Sequence, residues 1–319
     1  MKSVLSQYRA CRLCPRLCSA DRTAGRRGIC GESAELRVAA VLAHFGEEPP
    51  ISGERGSGTV FFSGCSLRCC FCQNIQISQE HLGKTISAEH LVESLQQLAE
   101  TSGVHNINFV TPDHFAAHLP LIVAQLRTKK IDIPMVYNTS GYSLVPVLQE
   151  LEPFIDIYLP DFKYSDSDLA NKLSHAPDYP DKALNAVAEM VRQKGFLDSF
   201  TSGHVVAGQG TLVRHLVLPG FISNSIDALS MLYTEFGRDL PISLMSQFHP
   251  VGKTEIESLQ RRLYRQEFQQ SVQHAQELGF QHLFVQDTEL DEEGDDAPFV
   301  PDFRRKSPFR GNQGEDQLK

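Results

Sequence analysis

Short apolar runs alternate with longer amphipathic stretches through most of the chain. TVFFS (59–63) is β-branched and aromatic, the profile of a buried strand. SAEHLVESLQQLAE follows with Ser87 placed as an N-cap, Leu91, Leu95 and Leu98 on one helical face, and Gly103 as the stop. The unit then repeats. INFV (107–110) precedes a helix near 113–127, PMVYN (134–138) one near 143–151, and DIYLPDFK (156–163) a longer helical region with DKALNAVAEMVRQKG (181–195) as its clearest piece. LVRHLVLPG (212–220) leads to a helix near 224–236, PISLMSQF (241–248) to TEIESLQRRLYRQEFQQSVQHAQELG, and HLFVQ (282–286) closes the series.

Strands alternating with helices predict βαβ crossovers and a parallel sheet. Six or more units exceed a minimal doubly wound sheet and fall short of a complete eight-fold barrel, so the expected fold is α/β, a partial (β/α)6 barrel. Four segments are predicted: a Cys-rich module over 1–35, a connector over 36–54 whose Pro and Gly content signals irregular backbone, a core over 55–290, and a polar, disordered tail over 291–319. In such barrels the site gathers at the C-terminal ends of the strands.

Charge and composition add limits. The formal net charge is −9, with seven acidic residues in DTELDEEGDD (287–296), while Lys2, Arg9, Arg12, Arg16, Arg22, Arg26 and Arg27 face only Asp21 at the N-terminal end. The preferred role for those arginines is to offset thiolates on a metal; contact with nucleic acid or an acidic protein is the alternative. No run of about 18 uninterrupted apolar residues argues for a membrane span, and the first residues lack the apolar stretch of a secretory signal. The reading is a soluble cytoplasmic protein, where clustered cysteines favour metal or redox chemistry over disulfides.

All eight cysteines fall at or before Cys72. Cys65, Cys69 and Cys72 form C-x3-C-x2-C directly after the first predicted strand, with Cys70 beside them as a small buried thiol. Three thiolates can hold three irons of a cubane and leave the fourth open, whereas an electron-transfer 4Fe–4S site normally uses four. Cys69 and Cys72 can instead join Cys11 and Cys14 in a zinc knuckle. Cys11, Cys14, Cys18 and Cys30, spaced C-x2-C-x3-C-x11-C, can close a site of their own around zinc or a second iron–sulfur cluster.

The segment FFSGCSLRCCFCQN (61–74) resembles the radical S-adenosylmethionine (SAM) superfamily, and within it the glycyl-radical activating enzymes, notably pyruvate formate-lyase activating enzyme and its uncharacterised paralogue branch. The resemblance covers about 55–290 and implies a catalytic 4Fe–4S cluster on Cys65, Cys69 and Cys72. Its open iron chelates SAM, and reductive cleavage yields a 5′-deoxyadenosyl radical for hydrogen abstraction. A reductant such as flavodoxin or ferredoxin and a protein substrate are the implied partners. The G-G-E-like motif of many members is replaced here by NINFVTPDH, which puts Asn108 and Thr111 near its place. By the same resemblance, Asn138 is a ribose contact, and Asp161, Lys163 and Arg214 lie close to SAM. The alternatives are a radical SAM enzyme that modifies a small molecule or RNA, the −9 charge and the lack of a basic–aromatic pattern arguing against RNA, and a zinc-stabilised interaction protein. His215 and His249 are assigned no role.

Overall fold

A computed structural model of the chain describes residues 4–251, 254–286 and 300–309. Strands β1 (Leu36–His44), β2 (Ser57–Phe62) and β3 (Lys84–Ile86) begin the sheet, with β1 antiparallel to both of the others. Helices α1 (Pro49–Ser52) and α2 (Ile75–Ser78) flank β2. From β2 onward the strands run parallel: β4 (Ile107–Val110), β5 (Met135–Thr139), β6 (Ile157–Pro160) and β7 (Gly210–Thr211) complete a seven-stranded sheet in the order β3-β1-β2-β4-β5-β6-β7. A second parallel sheet holds β8 (Val213–Leu216), β9 (Ile242–Met245) and β10 (Leu283–Val285). The Asp161–Arg214 backbone bridge joins the end of β6 to β8, so the parallel series continues from one sheet into the other.

Helices make the crossovers: α3 (Ala88–Ser102), α4 (Leu119–Thr128), α5 (Val145–Leu151), α6 (Ser167–Ser174), α7 (Tyr179–Lys194), α8 (Ser199–Ser202), α9 (Ile222–Phe236) and α10 (Arg265–Leu278). The expected α/β architecture is found. Ser87 caps α3 by accepting from the His90 N–H at 3.1 Å, and Gly103 ends it in the left-handed region. Phe62, Phe109, Leu91, Leu95 and Ile122 form one core between sheet and helices; Phe162, Tyr164, Tyr179, Leu229 and Leu244 anchor a second.

Three expectations change. Residues 36–44, placed in the irregular connector, form β1: Ala39, Ala40 and Ala43 give it little strand propensity, and its pairing with β2 supplies what local preference does not. The helix expected near 113–127 is a 3-10 turn over Asp113–His118 followed by α4, because Pro120 sits in the first turn of a new helix. Within the tail expected to be loose, Phe303 is buried against Phe61, and the Phe309 ring packs at a tilt against both Phe61 and His44. The acidic run 287–296, with residues 297–299 and 310–319, lies outside the described residues.

Candidate active site

The loop after β2 starts at Gly64, whose φ of +83° and surroundings exclude any side chain: a Cβ there would meet Glu32 Cγ at 2.5 Å and the Cys30 carbonyl oxygen at 2.7 Å. Leu67 and Phe71, both buried, fasten the loop into the second core, worth roughly 1.5–3 kcal/mol each. Around these anchors, Cys65, Cys69 and Cys72 line a cavity of about 600 Å³, and Cys70 does not. The Cys70 N–H bonds the Leu173 carbonyl at 2.9 Å.

Each of the three lining sulfurs accepts one hydrogen bond. Cys65 Sγ accepts from the Leu67 N–H (3.4 Å), Cys69 Sγ from Ser174 Oγ (2.9 Å) and Cys72 Sγ from Ser78 Oγ (3.3 Å). Burial, with the neighbouring Cys69 and Cys72 sulfurs, pushes the Cys65 thiol well above its ordinary range; burial and then Cys69 push Cys72 up as well. Crowded thiols of this kind ionise when a cation arrives to share their charge. The donor set therefore fits an iron–sulfur cluster, with thiolate ligands on one wall and donors already aimed at the sulfurs.

The strand ends supply the rest. Thr111 follows β4 at φ +55°, a strained conformation for a β-branched residue, and it lines the cavity together with Asn138 of β5. Asn108 does not reach the lining. It is fully buried, and its amide donates to Glu47 Oε1 at 2.8 Å. Asp161 and Lys163 pair at 2.6 Å, and both line the cavity. Burial alone would lower the Lys163 ammonium; the Asp161 carboxylate, joined by Cys69 and Tyr179, makes the net shift upward.

Arg214 is also at the cavity, but its guanidinium is held by Glu47 and Glu48, with Nε–Oε1 at 2.9 Å to Glu48. Sequence reasoning missed both glutamates. The signal was HFGEEPP, two adjacent carboxylates beside a structured strand, read as connector. Burial would raise the Glu47 carboxyl, yet Arg214 and then His44 hold it below the usual range. His215, buried between the Phe162 carbonyl and Ser225 Oγ, is a structural residue, as expected.

Gly141 fixes the spacing between the β5 and β6 ends. It lies at φ +77°, and a Cβ would stand 2.1 Å from the Asp161 carbonyl oxygen. Gly141→Ala is expected to cost at least about 1–3 kcal/mol, seen as a lower urea midpoint at unchanged slope.

In the N-terminal module Cys11, Cys14 and Cys30 are buried and Cys18 is half-buried. Cys11 packs with Tyr8, Leu13 and Ala34, apart from the core that holds Cys69, so a knuckle mixing the two cysteine sets does not form. Among the described residues no three His, Cys, Asp or Glu side chains are gathered as around a single ion. Arg22, 1% exposed, lies against the Tyr8 ring and donates to Cys11 Sγ and to the Ser33 and Glu32 carbonyls.

Residues 59–211 match the Radical SAM superfamily profile. The chain is 25% identical over 284 residues to the uncharacterized protein MJ0674 of Methanocaldococcus jannaschii, covering 87% of this chain and 77% of that one. Among solved structures it is similar to SuiB of Streptococcus suis bound to its precursor peptide SuiA (TM-score 0.47, 13% identity, 71% of this chain and 47% of that chain). It is similar also to the FeFe-hydrogenase maturase HydG of Carboxydothermus hydrogenoformans (0.46, 15%, 69% and 50%). The chain thus spans about half the length of those two proteins. Among the described residues no helix is long and apolar enough to cross a membrane.

Proposed function

From the premise that this chain carries a radical SAM domain, which works with a 4Fe–4S cluster and SAM, we propose an activating-enzyme-like catalyst with Cys65, Cys69 and Cys72 as the cluster ligands. The observation that carries this reading is the division among four crowded cysteines: three face one cavity and Cys70 turns aside. When bound, the reduced cluster and SAM supply a 5′-deoxyadenosyl radical that takes hydrogen from a substrate.

The chain's own residues bind and orient. Asn138 offers an amide at the end of β5, suited to ribose hydroxyls. Lys163 presents an ammonium for a carboxylate, held in place by Asp161. Thr111 stands where β4 ends, in a backbone conformation that the surrounding structure must enforce. Arg214, tied to Glu47 and Glu48, sets the shape and charge of the far wall. The rings of Phe61, Phe71, Phe248 and Phe309 give part of the cavity wall an apolar surface. Asn108 acts behind this surface, by holding Glu47.

The target is a C–H bond of a partner protein, such as a glycine Cα–H, or of a small molecule; a flavodoxin or ferredoxin would deliver the electron. The test incubates reconstituted, reduced protein with SAM and cell extract split into macromolecular and small-molecule pools. 5′-Deoxyadenosine release should rise above the uncoupled rate with one pool, and a glycine target would leave a glycyl-radical signal. No rise with either pool contradicts the proposal.

For Cys11, Cys14, Cys18 and Cys30 the same reading assigns a metal. Four thiolates in that spacing suit either zinc or a second cluster. Cys14→Ser should remove about four irons per chain if the module holds a cubane, or one zinc if it does not. Iron and zinc contents that both stay at the wild-type level discard a metal there.

A further inference from the structure

The N-terminal module is not an appendage to the barrel, because one of its side chains is built into the cluster loop. Arg16 lies between Cys14 and Cys18, and its Nε donates to the carbonyl of Ser66, the residue after Cys65, at 2.8 Å. The same guanidinium donates from Nη2 to the Ser174 carbonyl at 2.9 Å and from Nη1 to the His175 carbonyl. Its carbon lies 5.3 Å from the centroid of the Tyr142 ring. The two carbonyls from 174 and 175 belong to the end of α6, which closes on His175 in the left-handed region. A helix end leaves such carbonyls without partners inside the helix, and a cation there is favoured by the helix dipole.

That helix end also holds the cysteines. The Leu173 carbonyl accepts from the Cys70 N–H, and Ser174 Oγ reaches Cys69 Sγ at 2.9 Å. Ser174 Oγ lies 2.5 Å from the Tyr164 hydroxyl as well. A serine has one proton to give. If it goes to the sulfur, Tyr164 donates to Ser174 and Ser174 donates to Cys69, a relay in which each bond polarises the next. Tyr164 and Ser174 are both fully buried, so no water competes for these bonds.

We propose that Arg16 is a positioning residue: it locks the end of α6 onto the cluster loop, and so sets the Ser174–Cys69 hydrogen bond that tunes the cluster. The inference rests on Cys69 being a cluster ligand. Hydrogen bonds to ligand sulfurs raise a cluster's reduction potential, and partners of this kind are a main lever on a metal site. Three carbonyls in fixed directions need the planar five-donor fork of arginine, which the single ammonium of lysine does not reproduce.

The experiment measures the midpoint potential and electron paramagnetic resonance (EPR) spectrum of the reduced cluster in the full chain. Ser174→Ala should move the potential negative, at the scale of a tenfold change in the reduction equilibrium, about 59 mV for one electron. Arg16→Ala should move it the same way, and the double variant should go no further than Ser174→Ala alone. Arg16→Lys should fail to restore the wild-type potential. It also carries the test should Arg16→Ala not fold, since it keeps the charge and loses only the fork. A wild-type potential in either Arg16 variant, or a double variant whose shift is the sum of the single shifts, overturns the proposal. Iron content of the same samples separates this from failure of the function itself. A wild-type chain that takes up no cubane overturns the ligand assignment, and with it this inference.

Discussion

Replacement of Cys65, Cys69 or Cys72 by alanine should reduce SAM cleavage to background and remove about four irons per chain with their share of the brown absorbance, while Cys70→Ala should leave both largely intact. The contrast follows from how one short loop is pinned. Leu67 and Phe71 are buried on one side, Gly64 packs against the N-terminal module on the other, and the three lining sulfurs are each met by a donor. Cys70 is held by its backbone to Leu173 and is absent from the cavity wall. Three thiolates leave a cubane one iron short of full protein ligation, and a fourth ligand from the neighbouring cysteine would close it. Iron content and 5′-deoxyadenosine yield of the four variants check this; a Cys70→Ala protein as inactive as the other three would refute the division.

Arg214→Ala should be the most destabilising single change at the cavity, at about 3–5 kcal/mol. It strands two carboxylates, Glu47 and Glu48, that are both more than nine-tenths buried. The pH dependence carries a sign. Glu47 is depressed in the folded protein, so its contribution is present above the ordinary glutamate value of about 4.3 and is lost as pH falls through the folded value. The gap between wild type and Arg214→Ala should therefore narrow in acid, as the stranded carboxylates take up protons. Denaturant titrations at neutral and acid pH check it. Glu47→Gln combined with Glu48→Gln should recover part of the loss in the Arg214→Ala background, because it removes the charges left without a partner.

Much of this was legible in the chain, for identifiable reasons. The strands at 59–63, 107–110 and 134–138 announce themselves because parallel strands buried on both faces are continuous apolar runs. Cys65, Cys69 and Cys72 are legible because their spacing lies within one loop, and loops after barrel strands carry chemistry. Partnership across the fold was not. Arg214 meets Glu47 and Glu48 across more than 160 residues, and no local pattern encodes that contact. Asn108 lies near a strand end and shares its strand face with Val110, which lines the cavity, but its amide is taken by Glu47, a lining residue that no local pattern pairs with it. Phe303 and Phe309 sit in a segment whose basic and polar neighbours hide two rings that pack on Phe61. Arg16 looked like one of several charges around thiols, and its three carbonyl partners exist only once α6 and the cluster loop are side by side.

The central claim is that three cysteines hold a cluster able to cleave SAM. Its most direct test is anaerobic reconstitution of the full chain, reduction with dithionite, addition of SAM, and measurement of both products. The account predicts methionine and 5′-deoxyadenosine in equal amounts, dependent on reductant and absent from the Cys65→Ala protein. A fully loaded cluster that yields neither product, with or without cell extract, would contradict it.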